Sequence, residues 1–164
     1  MTENRDLVPK PGVSVRQFAD DLLHAATVGA YDDVAEALGV LACADSAQVP
    51  ASVVGELVAR CTRAIRTQHR ADADMVFTVV VEDDHGEPAE VERLPPGPRS
   101  ALRALLAALN HDVPSRDIHV ELATRGTPAE VVGVLTHLLV WVTELSDPTA
   151  APLPTLSCFE DAGG

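Results

Sequence analysis

Apolar residues recur at helical spacing along most of this chain, in stretches separated by glycine, proline and small polar residues. Val15, Phe18, Leu22, Leu23 and Ala26 make the first stripe. Ser14 stands before it as an N-cap with Gln17 in the matching place of a capping box, and Gly29 follows as a terminator. Val34, Leu38, Val40 and Leu41 make a second stripe, which Asp32 can cap. The short joint Gly29-Ala30-Tyr31 makes these two helices an antiparallel pair. A third helix is expected from near Pro50, a residue suited to a first turn because its missing N–H would be unbonded there. Its stripe is Val54, Leu57, Val58, Cys61 and Ile65.

The period then changes. Residues 75–81, MVFTVVV, are β-branched and aromatic, which resists helix and favours strand. Asp83-Asp84-His85-Gly86-Glu87-Pro88 supplies turn chemistry, and Ala89 to Leu94 can return as a second strand. Pro95-Pro96-Gly97-Pro98 reads as a break before the helices resume at Ser100, through Leu102, Leu105, Leu106 and Leu109. A turn at Asn110-His111-Asp112 leads to a short helix capped by Ser115 and ended by Gly126. The last helix has the clearest start: Thr127 as N-cap, Pro128 behind it and Glu130 to complete a capping box.

In that last helix Val131, Leu135, Leu138, Val142 and Leu145 fall on one line, flanked by Val134 and Trp141 on one side and Val132 and Leu139 on the other. The arc covers about half the circumference, against roughly 100° for an ordinary surface helix. Such a helix is central to the fold or meets a partner. Val134, Leu138 and Trp141 form the edge on which a second copy would pack, tryptophan being enriched at the energetic centres of interfaces.

Two segments repeat. PASVVGEL from Pro50 to Leu57 returns as PAEVVGVL from Pro128 to Leu135, DVAEAL from Asp33 as DIHVEL from Asp117, and Leu22-Leu23 as Leu105-Leu106. The expected fold class is therefore mostly α with a small β-hairpin: about six helices in two pseudo-repeated three-helix units. A flexible arm (1–13) precedes a single helical domain (14–146), made of a first unit (14–70), an acidic hairpin insert (71–97) and a second unit (98–146). An extended tail (147–164) follows.

Composition narrows the function. The net charge of −13 repels phosphate backbones and anionic lipid, so neither nucleic acid nor membrane is an expected partner. The longest apolar run, Val131 to Val142, is short of the roughly 20 residues a bilayer needs. The start of the chain has no apolar signal core, so the expected location is cytoplasmic. There Cys43, Cys61 and Cys158, widely spaced and odd in number, are expected as two reduced core thiols and one exposed tail thiol.

Candidate chemistry is thin. Arg63, Arg66 and Arg70 share a face of the third helix and, with His85, are the candidates for binding a phosphate or carboxylate. The competing expectation is an internal ion-pair network, because residues 72–92 hold eight carboxylates: Asp72, Asp74, Glu82, Asp83, Asp84, Glu87, Glu90 and Glu92. Neither Asp83-Asp84-His85 nor His111, Asp112, Asp117 and His119 has metal-ligand spacing, and no glycine-rich strand-to-helix turn could cradle a nucleotide, so no metal and no cofactor are expected. No nucleophile motif assigns a catalytic residue.

The expected function is a non-catalytic cytoplasmic helical module for protein–protein interaction or regulation, with a protein partner or a homodimer. The alternative is a small-molecule binder or enzyme with its pocket between the two halves, near Arg63, Arg66 or His85. A third reading, motivated by the carboxylates of 82–92, is mimicry of nucleic acid toward a basic surface.

Overall fold

The computed structural model describes residues 14–70, 72–83 and 85–147. The expected arm, Cys158 and all but the first residue of the expected tail lie outside them. Within the described residues the chain is mostly helical with one small antiparallel hairpin. The helices are α1 (Val15–Thr27), α2 (Tyr31–Ala42), α3 (Gln48–Gln68), α4 (Pro96–Leu109), α5 (Val113–Ala123) and α6 (Pro128–Ser146). The hairpin pairs β1 (Val81–Glu82) with β2 (Pro88–Ala89).

Local chemistry accounts for the ends of these helices. At α6 both halves of the capping box form: Thr127 Oγ1 accepts the Glu130 N–H at 3.3 Å, and Glu130 Oε2 accepts the Thr127 N–H at 2.6 Å. At α1 only half forms, since Ser14 accepts the Gln17 N–H while the Gln17 amide turns forward to Asp21. Gly29, at φ +79°, closes α1 with its own N–H on the Ala26 carbonyl and the Ala30 N–H on the Ala25 carbonyl.

Other starts differ from expectation. Helix α2 begins at Tyr31 with no side-chain cap, leaving Asp32 in the first turn near the positive end of the helix dipole. Helix α3 starts at Gln48 and, as expected, has Pro50 in its first turn. Helix α4 starts at Pro96, not Ser100: the expected proline break is its first turn, where a missing N–H is no loss. Asp112, not Ser115, caps α5, its carboxylate accepting the Ser115 N–H at 3.1 Å.

The core is aliphatic and centred on α6, which packs against α1, α2, α3 and α4. Val134 and Leu138 are 0 % exposed and Trp141 is 7 % exposed. The edge expected to meet a second copy is therefore taken up within one copy, because four helices pack on the apolar arc of α6 and leave only the side of Thr136, Val140 and Thr143 open. Among the described residues, α6 is the one helix with the length and apolar composition of a membrane span, and 50 % of that stretch is buried inside the protein. Alanines and a glycine let the helices approach closely. Ala19, Ala37, Ala101 and Ala104 are buried, and a Cβ on Gly97 would lie 2.6 Å from Cγ2 of Val134.

The repeated segments fall on helices in matching chain order, but the packing of one half does not reproduce the other. The main partner of α5 is α4, whereas that of α2 is α6.

The hairpin is real but much shorter than 75–81 with 89–94. Its ladder holds Val81 against Ala89 and Glu82 against Pro88 only. Proline in β2 cannot donate to a ladder, and Val91–Arg93 coil into a 3-10 turn. Asp83 builds the reversal: Oδ1 accepts the N–H groups of His85 and Glu87, and Gly86 takes φ +76°.

The close approach at Gly97 gives a direct test. Gly97→Ala should destabilise by about 1–3 kcal/mol through overpacking against Val134, despite the better helix propensity of alanine. Urea unfolding measures it. The double variant Gly97→Ala/Val134→Ala should lose less than the sum of the two single losses; strict additivity would show that the two sites do not touch.

Candidate functional site

The arginine stripe does not gather into one anion grip. Arg63 lies on an exposed part of α3, 3.9 Å from Glu56. Arg70 is past the helix end, at φ +45°, and is exposed. His85 sits in the hairpin turn, also exposed. No hydrogen bond or ion pair joins any two of Arg63, Arg66, Arg70 and His85 among the described residues.

Arg66 instead performs a structural task. Its guanidinium donates to the Leu109 carbonyl at the end of α4 (3.0 Å) and to the Asp72 carbonyl (3.3 Å). The same group lies 5.8 Å from the centre of the Phe77 ring, within cation–π range. His69, the C-cap of α3, meets that ring edge-on with centres 6.1 Å apart. Asn110, the C-cap of α4, holds the Phe77 backbone from the other side: its Oδ1 accepts the Phe77 N–H at 2.8 Å and its Nδ2 donates to the Phe77 carbonyl at 3.0 Å. An asparagine amide thus stands in for a neighbouring strand. Phe77 becomes a staple between the ends of α3 and α4, and sequence pattern gave no signal for it beyond a lone aromatic in a β-branched run.

The expected network between the arginine stripe and the insert is also corrected. Arg66 uses backbone carbonyls, and the insert carboxylate with an arginine partner among these contacts is Glu92, 2.9 Å from Arg103 on α4. Arg99 donates to the Glu92 carbonyl as well. The ion pair of the insert is thus made with the fourth helix rather than the arginine stripe of the third, because the 3-10 turn brings Glu92 back over α4.

The densest charge cluster lies elsewhere, around Arg60. Its Nη1 is 2.6 Å from Asp20, its Nε 3.0 Å from Glu56, and Nη2 donates to the Arg16 carbonyl at 3.3 Å. Burial would lower its proton affinity, but the hydrogen bonds to Asp20 and Glu56 outweigh that and hold it above its ordinary value. Arg16, Asp20, Glu56, Arg60 and Arg63 line an open groove between α1 and α3. Its central charges satisfy one another, so it reads as a clasp between two helices.

The most displaced titratable groups lie in the packed interior. Burial pushes the Cys61 thiol up to about 12, which leaves it protonated and unreactive at neutral pH. Cys43, expected in the core, is instead an exposed free thiol, because it stands at the C-cap of α2 beyond the buried stripe of that helix. Burial pulls His137 down to about 4, with a hydrogen bond to the Gly133 backbone opposing the shift. The capping carboxyls sit below their usual range, Asp112 through hydrogen bonds from Ser115 and Glu130 through those from Thr127. Among the described residues no three of His, Cys, Asp or Glu come together to hold a metal ion.

No family model matches this chain, and neither does any curated protein or solved structure. What the molecule does has to be argued from its own surface.

Two measurements follow from these interior groups. His137 is neutral in the folded state and takes up a proton near pH 6.5 once unfolded. Stability is therefore unaffected by this group above that pH and falls as the pH drops toward 4. Between pH 7 and 4.5 the protein should lose about 2 kcal/mol more than the variant His137→Gln, read by urea unfolding. Equal losses would show that the ring is solvated. Asn110→Ala should release the Phe77 backbone, raising the exchange rate of its amide by at least about tenfold while the α6 amides stay protected. Unchanged Phe77 exchange would show that the aromatic packing alone holds the segment.

Proposed function

We propose that this chain is a non-catalytic helical module for protein–protein interaction or regulation, acting in the cytoplasm. The outer face of α5 carries the reading. This helix buries only Val120 and Ala123 of its eleven residues. Ile118 (58 % exposed) and Leu122 (38 % exposed) lie one turn apart on it, with Val113 exposed at its first position. The neighbouring charges are paired with each other, Arg116 with Asp117 at 2.7 Å and Glu121 with Arg125 at 2.6 Å. An apolar strip with a neutralised polar rim is what interface centres look like. The interior supports the same reading: strongly displaced groups mark reactive sites when they face a cleft, and Cys61 and His137 are buried.

A homodimer through the α5 face is one form of this function, and a distinct protein partner is the other. Affinity capture from native lysate with mass spectrometry, beside light scattering at tens of micromolar, separates them. Ile118→Asp/Leu122→Asp should change stability by less than about 1 kcal/mol, as surface substitutions do, yet abolish the captured partner or the dimer. A monomer with no stoichiometric partner, or a partner held equally by the variant, overturns the proposal.

A further inference from the structure

Residues 76–81 alternate in exposure. Val76 (77 % exposed) and Val80 (72 % exposed) face out with Thr78 between them, while Phe77 and Val79 pack against the core and Val81 is buried. A period of two is that of an extended chain, so this run continues β1 backwards past its ladder. Along such a chain the N–H and C=O of alternate residues point to the same side. The odd-numbered side is taken: Val81 faces Ala89, the Asp83 N–H donates to the Glu87 carbonyl at 2.8 Å, and Phe77 exchanges both backbone groups with Asn110. On the even-numbered side, the N–H and C=O groups of Val76, Thr78 and Val80 have no partner among the described residues.

An open strand edge is a template for another strand, and proteins commonly blunt one with a charge or a proline in its middle. Here the middle is valine and threonine, and the charges stand at the two ends: Asp72 and Asp74 before it, Glu82 and Asp83 after it. Residues 71–92 contain no lysine or arginine. This pattern argues against a second copy as the occupant. Two chains paired antiparallel about Thr78 would bring Glu82 of each up to the turn holding Asp72 and Asp74 of the other, and like charges facing one another destabilise a sheet. A parallel pairing would set each carboxylate near its own counterpart.

We infer that this edge binds an extended segment of a basic partner protein by strand addition. Backbone hydrogen bonds to Val76, Thr78 and Val80 supply the affinity. Apolar or β-branched residues of the segment lie beside Val76 and Val80, and its lysines or arginines meet Asp74 and Glu82. The inference rests on the reading of this protein as an interaction module, but not on the α5 face.

The test uses the full chain and two synthetic nine-residue peptides, Lys-Thr-Val-Thr-Val-Thr-Val-Thr-Arg and the same core with Glu at both ends. Titration is followed by amide chemical shifts and hydrogen exchange. The basic peptide should perturb residues 74–82, slow exchange at Val76, Thr78 and Val80, and bind at least about tenfold more tightly than the acidic one. Thr78→Pro removes an edge donor that holds no partner in the fold, so it should keep the melting temperature and weaken binding by about tenfold or more. Asp74→Asn/Glu82→Gln should narrow the gap between the two peptides. Equal binding of both peptides, shifts confined to the helices, indifference to Thr78→Pro, or no shift up to about 1 mM overturns the inference. So does protection of the three amides without peptide: growing with protein concentration, it makes a second copy the occupant, and independent of concentration, a segment of the same chain. Each of these outcomes leaves partner capture by the α5 face as a separate result.

Discussion

A helix that is apolar around half its circumference cannot rest on a surface, and the architecture answers that constraint on α6. Nine of its residues are buried, from Val131 to Leu145, and removing them from water takes neighbours on several sides at once. Helices α1, α2, α3 and α4 supply those neighbours. Close packing follows from the side chains available. With aromatics at only 3 % of the sequence, the interior is leucine, valine and alanine, and the small residues Ala19, Ala101 and Gly97 let helix axes approach. Helix α5 is the one left outside this arrangement. It leans on α4 and α3 and keeps apolar side chains in solvent.

The polar parts secure the ends of what α6 organises. Gln68 at the end of α3 donates to the Leu145 carbonyl at the end of α6, and Arg66 does the same for Leu109 at the end of α4. These are places where helices leave carbonyls without internal partners, and side-chain donors there fulfil a need set by backbone geometry. The Phe77 staple belongs to the same group of contacts. It joins a two-residue ladder, too small to hold itself, to the helical ends beside it. Of the arginines that look like an anion site in sequence, Arg66 is used in this work, while Arg63 lies near Glu56 and Arg70 stands past the helix end.

What could be read in advance follows from how local the cause is. The capping box at Thr127 and Glu130, the terminator Gly29 and the stripe of α6 are decided within a few residues, and the structure has them in place. Pro96 reads equally as a break or a start, because a proline interrupts a helix but also begins one, and only the location of α4 in space decides between the two. The hairpin is shorter than the pattern suggests because β-branched residues report extension, not pairing; the backbone of Phe77 is met by Asn110, distant in sequence, instead of by a strand. Trp141 and Val134 illustrate the same limit. A wide apolar arc states that something must cover it, and periodicity along one helix cannot say whether the cover is the same chain or another.

Acidity gains a local meaning from this arrangement. Spread evenly, a net charge of −13 would mainly favour solubility. Its concentration in the insert, beside an extended run whose outward residues are apolar, does more than that. Carboxylates at both ends of an open edge oppose pairing between identical copies while leaving the valines and the backbone groups between them accessible. The same placement would attract a segment of opposite charge, because the field that repels one partner steers another. Selectivity of that sort needs no pocket and no catalytic group, only charge placed where backbone hydrogen bonding is unfinished.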